Sequence, residues 1–195
     1  MVDAGSDDEG WCDVGDGGGG GGGPTGGGGG GEPTIAPGEA ARRAVANLTL
    51  TAVPPELSPD WNRNEWKMLA VGFPVWVSAD PDSLAPLSDA ESVEGLTVEL
   101  RAHSPEVSVA MGDGTTLTCA TEGRPFVVGS AEPGSKGPCS HTYQELGVYT
   151  STATYTWQVD WEAGGESGTI EVSNSASSEI PIGELHAVGT GEGPN

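Results

Sequence analysis

From Tyr149 to Trp161 the chain alternates without a break. Tyr149, Ser151, Ala153, Tyr155, Trp157, Val159 and Trp161 fall on one side, and Thr150, Thr152, Thr154, Thr156, Gln158 and Asp160 on the other. A period of two sustained over this length predicts a long β-strand. Threonine on one face and aromatics on the other suit an antiparallel sheet buried on a single side. Shorter versions of the pattern recur at Leu96, Val98 and Leu100 against Thr97, Glu99 and Arg101, and at Val107, Val109 and Met111. The run LTLTAV at 48–53 predicts a first strand stopped by Pro54-Pro55, and Met68 to Val77 a mostly apolar strand bent at Gly72 and Pro74. Asp80 to Asp89, rich in proline and serine, reads as a turn region. Gly164-Gly165 makes a hairpin link into a strand at Thr169 to Ser173, and Ile180 to Val188 supplies the last strand.

Helical signals gather in one place. Pro37, Gly38 and Glu39 introduce an alanine-rich stretch ending at Asn47, which places a proline and an acid where helices start. A helix this short is not stable alone in water, so it is expected to dock Ala41, Ala44, Val45 and Leu48 on the sheet. Its two arginines, Arg42 and Arg43, read as solvated. Ahead of it, residues 1–36 form an acidic leader and two glycine blocks, 17–23 and 26–31, split by Pro24-Thr25. Glycine loses the most backbone entropy on ordering, so this stretch is expected to remain a disordered spacer. Its GxGxxG matches are compositional, since none follows a strand or opens a helix. The predicted organisation is a leader over 1–36, a docking helix over 37–47, a β-sandwich over 48–190 and a disordered tail over 191–195. About seven short strands separated by turn residues, with one helix, place the fold in the all-β class.

Charge narrows the partners. Lys and Arg number 7 against 29 Asp and Glu, a formal net charge of −22. Such a surface repels phosphate backbones and anionic lipid, which argues against nucleic acid and membrane surfaces. No run approaches the roughly 18 apolar residues of a transmembrane helix. The opening residues MVDAGSDDEG lack the basic and apolar regions of a secretory signal.

Cys119 and Cys139 bracket a loop holding Pro125, Gly129, Pro133, Gly134, Gly137 and Pro138, which has little means of ordering itself. A disulfide closing about 20 residues would contribute roughly 3 kcal/mol. That reading is preferred to metal binding, because CxxC and HxxxH spacings are missing. It implies an oxidising compartment, and with it a signal peptide upstream of Met1. Cys12 is left over; the chain is expected to be monomeric unless Cys12 crosslinks.

Within 107–161, Gly112-Asp113-Gly114, His141-Thr142-Tyr143 and Gly147-Val148-Tyr149 follow one another in the order found in the polycystic kidney disease (PKD) repeat. The chain resembles that family, whose fold is an immunoglobulin-like antiparallel β-sandwich, with a PKD-like core at 93–188. Val109 and Met111 stand where the family usually has aromatic residues. The layout is also similar to a group of uncharacterised secreted actinobacterial proteins, through Pro74-Val75-Trp76 and the Trp157-to-Trp161 strand. In this frame Gly112, Asp113, Gly114, His141, Tyr143, Gly147 and Tyr149 are structural, with Tyr143 placed to act as a tyrosine corner.

The resemblance also raises calcium, which some members bind through acidic loops. Asp80, Asp82 and Asp113 are the main candidates, with Asp89 and Glu91 nearby in sequence, but no EF-hand spacing is present. GxSxG, HExxH and Walker motifs are absent, so no catalytic residue is assigned and no cofactor is implied. Three histidines (His103, His141 and His186) leave a triad open only in principle. Trp61 and Trp66, set in a polar loop, offer a platform for sugar rings or a cap over the sandwich edge. The leading expectation is an exported, non-catalytic domain for protein interaction or spacing. A module binding cell-wall glycan is the first alternative and a secreted hydrolase the second.

Overall fold

The computed structural model describes residues 35–118, 136, 137 and 139–185. Cys12, Cys119, His186, residues 1–34 of the expected leader and the tail therefore lie outside the described residues; Ile35, expected in the disordered leader, is instead buried in the core, because the chain entering the helix packs its apolar side chain there. Within them the chain forms one α-helix, one 3-10 turn and ten strands, arranged as two sheets. No helix among the described residues is long and apolar enough to cross a membrane.

The long alternating run is strand β9, Gly147–Ala163, and it organises the larger sheet. A two-residue turn at Gly164 and Gly165, with φ of +56° and +81°, returns the chain as β10, Glu166–Gly183, paired along the whole hairpin. Positive φ at both central residues gives the turn whose twist matches that of the flanking strands. The same device at Glu94 and Gly95 joins β4, Leu87–Val93, to β5, Leu96–Ala102.

The other edge of β9 carries β5 at one end and β6, Glu106–Ala110, at the other. Register explains why the buried positions change parity between them. Ala102 pairs with Val159 and Glu106 with Thr156, so three residues, 103–105, stand opposite two, Trp157 and Gln158. One extra residue is a β-bulge, and it moves every later side chain to the opposite face. Val98, Leu100 and Ala102 point inward before it; Pro105, Val107, Val109 and Met111 point inward after it.

The large sheet runs in the order β2-β10-β9-β5-β4, and β7, Thr116–Thr118, pairs with β6. A small sheet of β1 (Glu56–Ser58), β3 (Pro74–Ser78) and β8 (Ser140–Thr142) packs against it. The core joins the inward face of β5, β6 and β9 to Leu57, Val75 and Val77 of the small sheet. It also takes in Ala40, Ala41, Ala44 and Val45 of helix α1, Pro37–Asn47. Alanines on the buried side let this helix lie close to the sheet, and its arginines remain exposed.

Four details differ from the sequence expectations. Residues 48–53 are not a strand: the side chains of Asn174 and Tyr155 take the Leu50 and Val53 carbonyls, and pairing begins only at Glu56. The Met68–Val77 stretch is two strands, β2 (Leu69–Ala70) and β3, because Gly72 turns the chain with φ of +76°. Strand β4 occupies part of the supposed turn region, since a strand exposed on most positions shows no apolar alternation. The strands expected at Thr169–Ser173 and from Ile180 are one continuous β10 across the polar stretch between them, held by its register with β9. Pairing is antiparallel except between β2 and β10, which run parallel.

Candidate functional site

The residues of the Gly-Asp-Gly, His-x-Tyr and Gly-x-Tyr motifs meet where the two sheets touch. Gly112 and Gly114 have φ of +86° and +92°, and they turn the chain between β6 and β7. Gly112 is also needed for space: a Cβ there would sit 2.6 Å from the Thr150 carbonyl oxygen. Between the glycines, Asp113 accepts the Thr115 amide at 3.0 Å through Oδ1 and faces His141 Nε2 at 2.7 Å through Oδ2. Burial pushes the Asp113 carboxyl up, but the Thr115 amide and His141 together outweigh it and hold it below the ordinary carboxylate value.

Tyr143, only 1% exposed, donates its hydroxyl to the Met111 carbonyl at 2.9 Å. Burial raises this hydroxyl well above the ordinary tyrosine value, so it stays protonated and donating. The His141 ring stands edge-on to Tyr143 at 4.6 Å, and the Tyr143 and Tyr149 rings lie 4.7 Å apart, tilted by 31°. His141 belongs to the small sheet, whereas Met111 and Asp113 extend from the large one. Two hydrogen bonds thus fasten the turn after β6 to the segment carrying β8.

A second histidine pair lies on the outward face. The bulge directs His103 to Asp160, with Nε2 2.6 Å from Oδ2, and Thr169 donates to the other oxygen at 2.7 Å. His103 and then Thr169 hold the Asp160 carboxyl below its ordinary value. This pair was not legible in the sequence, because bringing residues 57 apart together depends on the register of β5 with β9.

The two candidate tryptophans do not share a hollow. Trp61 packs partly against the core and lines a hollow of about 420 Å³ with Glu56, Asp60, Asn62 and Arg63. Trp66, 56% exposed, lines an apolar hollow of about 210 Å³ with Met68, Phe73 and Leu185. The calcium candidates do not converge on one point either. Asp80 takes the Ser83 hydroxyl at the 3-10 turn that contains Asp82, Asp113 is bound to His141, and Glu91 accepts from Asn47. No three His, Cys, Asp or Glu among the described residues are grouped to hold a metal ion. Cys139 is buried, and its expected partner Cys119 lies outside the described residues.

No family model, no curated protein and no solved structure matches this chain.

Proposed function

We propose that the chain is an exported, non-catalytic, immunoglobulin-like domain of the PKD type that mediates protein interaction or spacing at the cell exterior. The glycine blocks act as its tether. The observation that carries this reading is the use made of the motif side chains. Asp113, His141 and Tyr143, the groups best suited to chemistry, are committed to one another and to main-chain atoms across the two sheets. The Tyr143 hydroxyl reaches a carbonyl 32 residues upstream, so it ties two distant segments together instead of forming the local tyrosine corner expected from the resemblance. Export is supported by the disulfide that we propose between the buried Cys139 and Cys119, since such a bond persists in an oxidising compartment.

Fractionation of cells producing the tagged full chain tests the reading. Protein at the surface or in the medium is expected, with an electrophoretic shift on reduction that persists in Cys12→Ser and vanishes in Cys119→Ser. Cytosolic protein with no such shift refutes it.

Glycan binding is favoured by one observation, the hollow in which Trp61 stands among carboxylate, amide and guanidinium groups. An aromatic plane with converging polar groups is the chemistry that holds a sugar ring. Polysaccharide pull-down lost in Trp61→Ala, but kept in Trp66→Ala, would support this second role; binding indifferent to Trp61→Ala would remove it.

A further inference from the structure

The large sheet ends at β4, which pairs with β5 on one side and with no strand among the described residues on the other. Residues 87–90 of this edge are exposed, and the strand contains neither proline nor lysine; its blunting is confined to the inward carboxylates and to the Ala90 amide, which the Asp89 carboxylate accepts at 2.8 Å. The long outer edge of β10 is different. Asn174 there bonds the Leu50 carbonyl, and Ser178 borders the same hollow as Pro54–Ser58, so the 50–58 segment runs beside it. Resting on the interaction-module reading, we propose that β4 takes up an extended, basic peptide segment as one further strand.

Charge selects this occupant over a second copy of the chain. Asp89 and Glu91 stand on the side of β4 that faces inward, opposite Leu100 and Val98. Two β4 strands side by side would set these carboxylates against one another, and facing like charges destabilise a strand pair. On the outward side, Glu99 of β5 faces Glu162 of β9 directly, and neither makes an ion pair or hydrogen bond among the described residues. Ala90 lies between that pair and the free edge, while Ser88 stands opposite Arg101, which pairs in register with Asp160 of β9; both β4 side chains are small. A Lys or Arg on an added strand, about 10 Å from β5 across two strand spacings, has an open path over them to Glu99. Main-chain hydrogen bonds would supply affinity, and alternate basic side chains the specificity.

The test uses the unaltered protein and blocked heptapeptides alternating Lys with Thr, or Glu with Thr. The Lys peptide is expected to bind at least ten times more tightly than the Glu peptide, with amide shift changes centred on residues 87–93. An added edge strand bonds through every second amide. N-methylation of one alternate set of peptide residues should therefore abolish binding and methylation of the other set should spare it, with charge unchanged. Equal binding by both methylated peptides would reduce the effect to bulk charge attraction and overturn the proposal, as would no binding of the Lys peptide. Shifts centred on the Trp66 hollow would overturn the β4 assignment while leaving an interaction module intact.

Discussion

Replacing Tyr143 with phenylalanine removes one oxygen from the junction between the sheets and leaves the ring contacts with His141 and Tyr149 in place. The hydroxyl is buried and donates to the Met111 carbonyl at 2.9 Å, so its loss strands a carbonyl that water does not readily reach. Leaving a buried acceptor unpaired costs about 1–3 kcal/mol, which sets the expected destabilisation at about 2 kcal/mol. For a domain of this size that corresponds to a fall in melting temperature of about 4–8 °C. Urea unfolding followed by tryptophan fluorescence should show a lower midpoint with an unchanged slope. Tyr149→Phe is the control, because that hydroxyl bonds the exposed Glu145 carbonyl and its loss should cost no more than about 0.5 kcal/mol. A Tyr143→Phe protein within about 0.5 kcal/mol of the parent would refute the claim that this bond fastens the sheets.

Gly112→Ala should cost at least about 2 kcal/mol, because it adds a Cβ against the Thr150 main chain to the strain of positive φ. Gly114→Ala, with φ of +92° and nothing within 4 Å, should show only the strain, about 1 kcal/mol, so equal losses would contradict the close approach at Gly112. The depressed Asp113 carboxyl stabilises the fold above the ordinary carboxylate value and loses that contribution as pH falls through its folded value. Urea midpoints across the acid range should therefore fall less steeply in Asp113→Asn, and an unchanged slope would sink the assignment. Burial raises the hydroxyls of Tyr143 and Tyr155, so the stability they contribute is present below the ordinary tyrosine value and is lost as pH rises beyond it. Tyr143→Phe should soften this alkaline loss; a curve parallel to the parent's would argue against it.

Strong periodicity made part of this fold legible in the sequence. β9 could be read because one of its faces is buried and the other wet, and α1 because its proline, acid and alanines agree. β4 and the middle of β10 escaped notice for the converse reason. Most of their side chains are exposed, and pairing with a neighbour rather than an apolar face makes them strands. The change of parity from Ala102 to Pro105 was written in the sequence, but assigning it to a bulge required the register with β9. At the candidate site the motif residues were identifiable one by one. That Asp113 and Tyr143 fasten one sheet to the other depends on β8 joining the small sheet, a long-range pairing that local pattern does not encode.

The pairing of β9 along both edges is checked residue by residue by amide hydrogen exchange of the full chain. It predicts continuous slow exchange over 152–156 and 159–163, where β9 lies between β10 and either β6 or β5. In β10 it predicts alternating slow and fast amides between 166 and 181, where only the β9 side is paired. Alternating protection in β9, or uniform protection in β10, would contradict the proposed arrangement of the sheets.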